Sequence, residues 1–217
     1  MQVREISCGK MHELAIALDK AGFDSSLVQK IISSKNNTLA KAMYEAIAEK
    51  KVVEIKFSLL VDLGTIVVPD DYIEGKEFAS LNQKDFYYFN ENLTDENFSN
   101  LKRVLKSGDK FRVKVFKQNV SGSTTSQERL DFLESQNAVL LGAQGASLIY
   151  KQKRYELPKG YWYASFDKKD NLWKGSDGYH RVPGVDARSV GDFGFNLGSF
   201  EDGWDDDDVL LCFCDEA

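Results

Sequence analysis

Proline is nearly absent from this chain, which carries only Pro69, Pro158 and Pro183 in 217 residues. No Pro/Ser-rich linker therefore separates two halves. Cysteine is as scarce: Cys8, Cys212 and Cys214 make an odd number, which points to a reducing compartment rather than a disulfide framework. No stretch approaches the ~18 consecutive apolar residues that a membrane-spanning helix needs. The first ten residues hold Arg4, Glu5 and Lys10 instead of the apolar centre of a signal peptide. A cytoplasmic protein without membrane contact is expected.

Reactive motifs are missing too. No G-x-S-x-G elbow, H-E-x-x-H helix or H-x-E with C-x-x-C occurs. His12 and His180, the two histidines, adjoin no nucleophile. Gly142-Ala143-Gln144-Gly145 fits neither a dinucleotide fingerprint nor a P-loop, and implies only a tight backbone with φ > 0 at a glycine. Cys212 and Cys214 would share one face of a strand, and with Cys8 and His12 would supply a Cys₃His set, but C-x-C is not zinc spacing. As small core hydrophobes they need no metal. The acids from Glu201 to Asp208 lack the order of a calcium loop and read as a solvated turn. Glu54-Ile55-Lys56 resembles half of a nuclease site, with Pro69-Asp70 on the wrong side, and strand alternation accounts for it. No cofactor or metal is expected.

What is present is ordinary globular composition, 42% apolar and 29% charged, with 12% aromatic residues suited to half-buried strands. Helical spacing comes first. Met11, Leu14, Ala15 and Leu18 form one stripe, ended by Gly22. Asp24 or Ser25 caps a second helix with Leu27, Val28, Ile31 and Ile32 inward. Thr38 caps a third, carrying Leu39, Ala42, Met43, Ala46 and Ile47.

Near residue 50 the period changes. Val53, Ile55 and Phe57 alternate as a strand, Thr65 to Val68 is a β-branched run, and Phe86 to Phe89 is a short strand. Thr94 caps a predicted helix reaching Lys106, with Phe98, Leu101 and Leu105 buried. In Lys110 to Lys117, Phe111, Val113 and Val115 face one way and Lys110, Arg112 and Lys114 the other. Thr125 and Glu128 form a capping box opening a helix with Leu130, Phe132 and Leu133 inward. Ala138 to Leu141 and Ala146 to Tyr150 read as strands around the glycine turn. Tyr161 to Phe166 and Val209 to Cys214 complete the β pattern.

The fold class expected is α+β: a helical region over 1–50, then a mainly antiparallel, β-rich domain over 51–217 with one or two helices.

Charge is segregated. Residues 1–120 are near balance, with 18 basic and 17 acidic side chains, while residues 121–217 hold 10 against 17. Lys102 to Lys117 carries seven bases and one acid, whereas Asp192 to Ala217 carries nine acids and no Lys or Arg. The net charge is −6. A basic strip can contact phosphates, but this one lacks aromatics on the same strand face for base stacking. The acidic C-terminal stretch folding across it is the favoured alternative, since opposite charges attract when brought near.

Asn137 to Ala146, Leu157 to Tyr163, Asp192 to Phe195 and Val209 to Phe213 resemble segments of uncharacterised bacterial proteins. The resemblance implies a bacterial cytoplasmic origin and supplies no function.

These readings favour a non-enzymatic, macromolecule-binding protein with an unidentified protein partner. Its expected surface comprises Lys110, Arg112, Lys114, Trp204, Asp205 and Asp206, with Phe200 and Phe213 beside the acids that meet a basic partner. Two other classes stand beside it: an enzyme with Trp173, Asp177, His180, Arg181 and Asp186 in one turn-rich site, and a nucleic-acid binder using Lys102 to Lys117, disfavoured by the acidic balance.

Overall fold

A computed structural model describes residues 24–35, 38, 41, 56–100 and 103–216. Contacts divide the chain into two units, Met1–Glu54 and Ile55–Ala217. In the first, α1 spans Ser25–Ile32, the second of the helices expected from spacing. The helices expected around Met11 to Leu18 and Leu39 to Ile47, and the strand residues Val53 and Ile55, lie outside the described residues.

The second unit is mixed α/β, mostly one large sheet. Its strands are β1 Phe57–Val67, β2 Tyr88–Phe89, β3 Lys110–Gln118, β4 Thr124–Thr125, β5 Tyr161–Ala164, β6 Trp173–Lys174, β7 His180–Ala187, β8 Phe193–Ser199, β9 Gly203–Trp204 and β10 Asp208–Glu216. Two helices, α2 Ser126–Ser135 and α3 Gly142–Lys153, follow β4. The sheet runs β1-β3-β10-β5-β7-β8-β2, with β6 beside β7, while β4 and β9 form a separate pair. β10 lies antiparallel to β3 and parallel to β5, so the last strand of the chain occupies the middle of the sheet.

Alternation along these strands builds two cores. Phe111, Val113, Val115, Tyr163, Val185, Val209, Leu211 and Phe213 point to one face, covered by α3 and by Phe78, Phe98 and Leu105 from the β1–β3 connection. Phe116, Ala164, Val182, Leu210 and Cys212 point to the other, covered by Leu133 of α2, Phe166 and Trp204.

α3 replaces the strand–turn–strand expected over Ala138 to Tyr150. All of its residues from Gly142 to Tyr150 are buried, so no polar stripe marks it as a helix and its apolar run reads like a strand. Small residues let it sit on the sheet: a Cβ at Gly145 would stand 2.7 Å from the Phe213 ring and from Ser165 Oγ. The expected left-handed glycine is Gly142, with φ +46°.

The helix expected from Thr94 is a single turn. Phe98 N bonds Thr94 O at 3.2 Å, but Ser99 N then bonds Glu96 O, and Asp95 is turned away to accept from Phe78 N and Ala79 N. Phe98 and Leu105 are buried as expected, on irregular backbone. The capping box forms in full, with Thr125 accepting from Glu128 N and Glu128 from Thr125 N.

Candidate functional site

The basic strip lies where alternation puts it, on the solvent-facing part of β3, and its two described arginines are met within the molecule. Arg112 donates from Nε and Nη2 to both Asp62 oxygens at 2.9–3.2 Å, and its Nη1 lies 3.8 Å from Glu216. Arg103 forks onto Asp215 at 2.6 and 3.1 Å. The Arg112 hydrogen bond holds the Asp62 carboxyl below its ordinary range. Lys110 and Lys114 sit opposite Glu216 and Cys212 in the β3–β10 register. Antiparallel pairing therefore lays the final acids across the basic strand. A nucleic-acid surface here would have to break those pairs.

Trp204 corrects the expected interaction surface. It is buried at 3% exposure, stacked on Trp162 with centroids 5.5 Å apart, and its Nε1 donates to Ser126 Oγ at 2.7 Å. Phe213 is likewise core, and Phe200 is half-buried. Large apolar rings on a terminal strand and its preceding turn serve the sheet rather than solvent. Asp205 and Asp206 are exposed, and with Asp207, Lys117 and residues 119–122 they line a polar cavity of about 720 Å³.

Beneath that turn lies Arg129, which sequence reading did not single out. It is fully buried on α2, yet neutral oxygens meet its guanidinium: Thr124 Oγ1 at 2.8 Å, Gln118 Oε1 at 3.0 Å, Asp208 O at 2.7 Å and Asp205 O at 3.1 Å. Burial lowers its pKa to about 10, so it remains a cation.

Of the five residues grouped as an enzyme site, Trp173, Asp177 and Arg181 line one cavity, while His180 and Asp186 are not among its lining residues. Neighbours along a strand point to opposite faces, so His180 and Arg181 are separated by the sheet. Arg181 pairs with Asp177 and donates to Ser199 Oγ at 2.8 Å, near Trp173. His180 Nδ1 meets Glu201 Oε1 at 2.7 Å, and Lys169 Nζ meets the same oxygen at 3.1 Å. Burial raises the Glu201 carboxyl, but bonds from His180 and Lys169 outweigh it and hold it at about 2. Asp186 accepts from Tyr87. Cys212 and Cys214 lie 3.9 Å apart, sulfur to sulfur, and burial pushes the Cys212 thiol up to about 12, the range of an inert core thiol. Among the described residues no cluster of three His, Cys, Asp or Glu could hold a metal, and Cys8, His12 and Glu54 lie outside them. Lys56 instead pairs with Glu128.

A cavity of about 1100 Å³ opens on the α2 side of the sheet. Leu130, Ala138, Leu140 and Phe200 supply its apolar wall, and all four pack against the second core. Asp131 and Glu134 line it from α2, and Asp167 and Asp170 from the turn after β5. Asn137, in left-handed backbone at φ +54°, closes α2 and turns the chain into the apolar segment. Of the lysines present, Lys169 is held by Glu201 and leans over the Phe200 ring. The Glu134 and Asp170 carboxylates have no partner among the described residues. Asn171, buried at 6% exposure in the same wall, donates from Nδ2 to Asp167 at 2.7 Å, while its Oδ1 accepts nothing.

The chain matches no family model, no curated protein and no solved structure. No helix among the described residues is long and apolar enough to cross a membrane.

Proposed function

We propose that this chain is a non-enzymatic interaction protein that receives a basic, partly apolar segment of a partner protein. One observation carries the reading: the cavity of about 1100 Å³ joins an apolar wall to the Glu134 and Asp170 carboxylates, which have no partner among the described residues. A lysine or arginine side chain matches that pattern, because its stem covers apolar surface while its head seeks a carboxylate.

The test is fluorescence anisotropy with a labelled short peptide of alternating lysine and leucine, and a counterpart with glutamate for lysine. Saturable, salt-sensitive binding of the first alone is expected. The pair Asp131→Asn and Glu134→Gln, which leaves both residues on exposed helix positions, is expected to weaken it about tenfold. No binding at low salt, or equal binding of both peptides, overturns the reading.

A further inference from the structure

Across the sheet from the acidic cavity lies a second cavity, of about 500 Å³, with a different chemistry. Trp173 and Leu197, which pack against the first core, form its apolar side. Its polar side consists of Asn90, Asn92, Asp177 and Arg181.

These polar groups are fixed in advance. Asn90 Oδ1 accepts from the Asn92 backbone at 3.0 Å and from its side chain at 3.4 Å, while Asn90 Nδ2 donates to Asn196 at 3.2 Å. Asp177 accepts from Tyr179 N at 3.2 Å and from Arg181, whose other arm holds Ser199. Gly175 makes room for the pair, since a Cβ there would stand 2.8 Å from the Asp177 carboxylate and 3.4 Å from Arg181 Nε.

The charge of the site decides the ligand class. Arg181 and Asp177 cancel, so the wall offers planar donors and acceptors without net charge beside an indole. A nucleotide would require an uncommitted cation for its phosphates, and the one cation lining this cavity is already paired. A pyranose has what the site lacks: an apolar face of C–H groups for the indole, and hydroxyls that both donate and accept toward planar side chains. We infer that the cavity framed by Trp173, Asn90, Asn92, Asp177 and Arg181 binds a neutral saccharide. The volume falls within the range of small-ligand pockets, about 300–1,000 Å³.

Isothermal titration of the full chain with maltotriose, cellotriose, xylotriose and N-acetylchitotriose, and with AMP, tests this. Saturable binding of at least one trisaccharide and none of AMP is expected. Trp173→Ala is expected to weaken it about tenfold or more. Because that substitution also removes core packing, Asn92→Ala, at the rim, is the second variant and is expected to weaken binding while leaving thermal unfolding unchanged. Asp131→Asn, across the sheet, should leave it intact. Failure of all four sugars to bind, preference for AMP, or binding indifferent to both Trp173→Ala and Asn92→Ala would overturn the assignment. None of these outcomes bears on the lysine–leucine peptide, so the two readings stand or fall separately.

Discussion

Arg129 shows how a single side chain can hold a surface feature from below. Its donors grip the carbonyls at both ends of the Asp205–Asp208 turn, and its guanidinium lies 5.4 Å from the Trp204 ring. Removing it takes a donor from the buried Gln118 and Thr124 oxygens and from two carbonyls, of which Gln118 Oε1 keeps Thr124 Oγ1 and Asp205 O keeps Asp208 N. It also empties the space of a fully buried side chain. Arg129→Ala is therefore expected to cost about 3 kcal/mol or more in urea unfolding, since each buried acceptor left unpaired costs about 1–3 kcal/mol and the lost packing adds to it. Arg112→Ala, whose guanidinium is solvated, should change stability far less; similar losses for the two would contradict this description of Arg129. Glu201 makes a pH-dependent prediction. Its folded-state pKa is depressed from 4.5 to about 2, so its contribution is complete above about pH 4.5 and disappears as pH falls toward 2. Circular dichroism should show Glu201→Gln with a flatter loss of stability across that window than the parent protein. An identical slope would mean that the His180–Glu201–Lys169 group does not contribute to acid unfolding.

At the scale of elements, legibility depended on whether a segment keeps one wet side. β3 alternates cleanly because Lys110 and Arg112 meet solvent while Phe111 and Val113 do not. α2 announces itself through the capping box, a local signal that tertiary context left intact. α3 was hidden because burial of its first nine residues erases the helical stripe. The 94–106 segment was over-read, since Asp95 serves the Phe78–Ala79 backbone instead of continuing a helix. The Val209 to Cys214 run has the pattern of a short strand, and nothing local reveals that β10 lies between β3 and β5. That position carries its own prediction. Deleting Asp208 to Ala217 removes the centre of the sheet along with the buried Val209, Leu210, Leu211, Cys212 and Phe213, and is expected to abolish cooperative unfolding by circular dichroism. A truncated chain that still unfolds cooperatively would place the sheet's centre elsewhere.

Seen as a whole, the charge segregation evident along the chain becomes two unlike arrangements in space. Around β3, Arg112 meets Asp62 of β1 and Glu216 of β10, and Arg103 meets Asp215 of β10. Around α2 and the turn after β5, carboxylates gather beside apolar side chains without an equal number of free cations. Sequence could show the first because both stretches are continuous runs. It could not show the second: Leu130, Asp131, Leu140, Asp170 and Phe200 come from separate segments that only the sheet brings to one rim. Asp131 and Glu134, three apart on the exposed side of a well-capped helix, were the one local hint. The most direct measurement of the proposed role is a two-dimensional amide NMR titration of the full chain with the lysine–leucine peptide. Saturable shifts confined to residues 130–140, 167–171 and Phe200 are the predicted result. Shifts centred instead on β3 or on the Asp205–Asp208 turn, or no shifts at all, would contradict it.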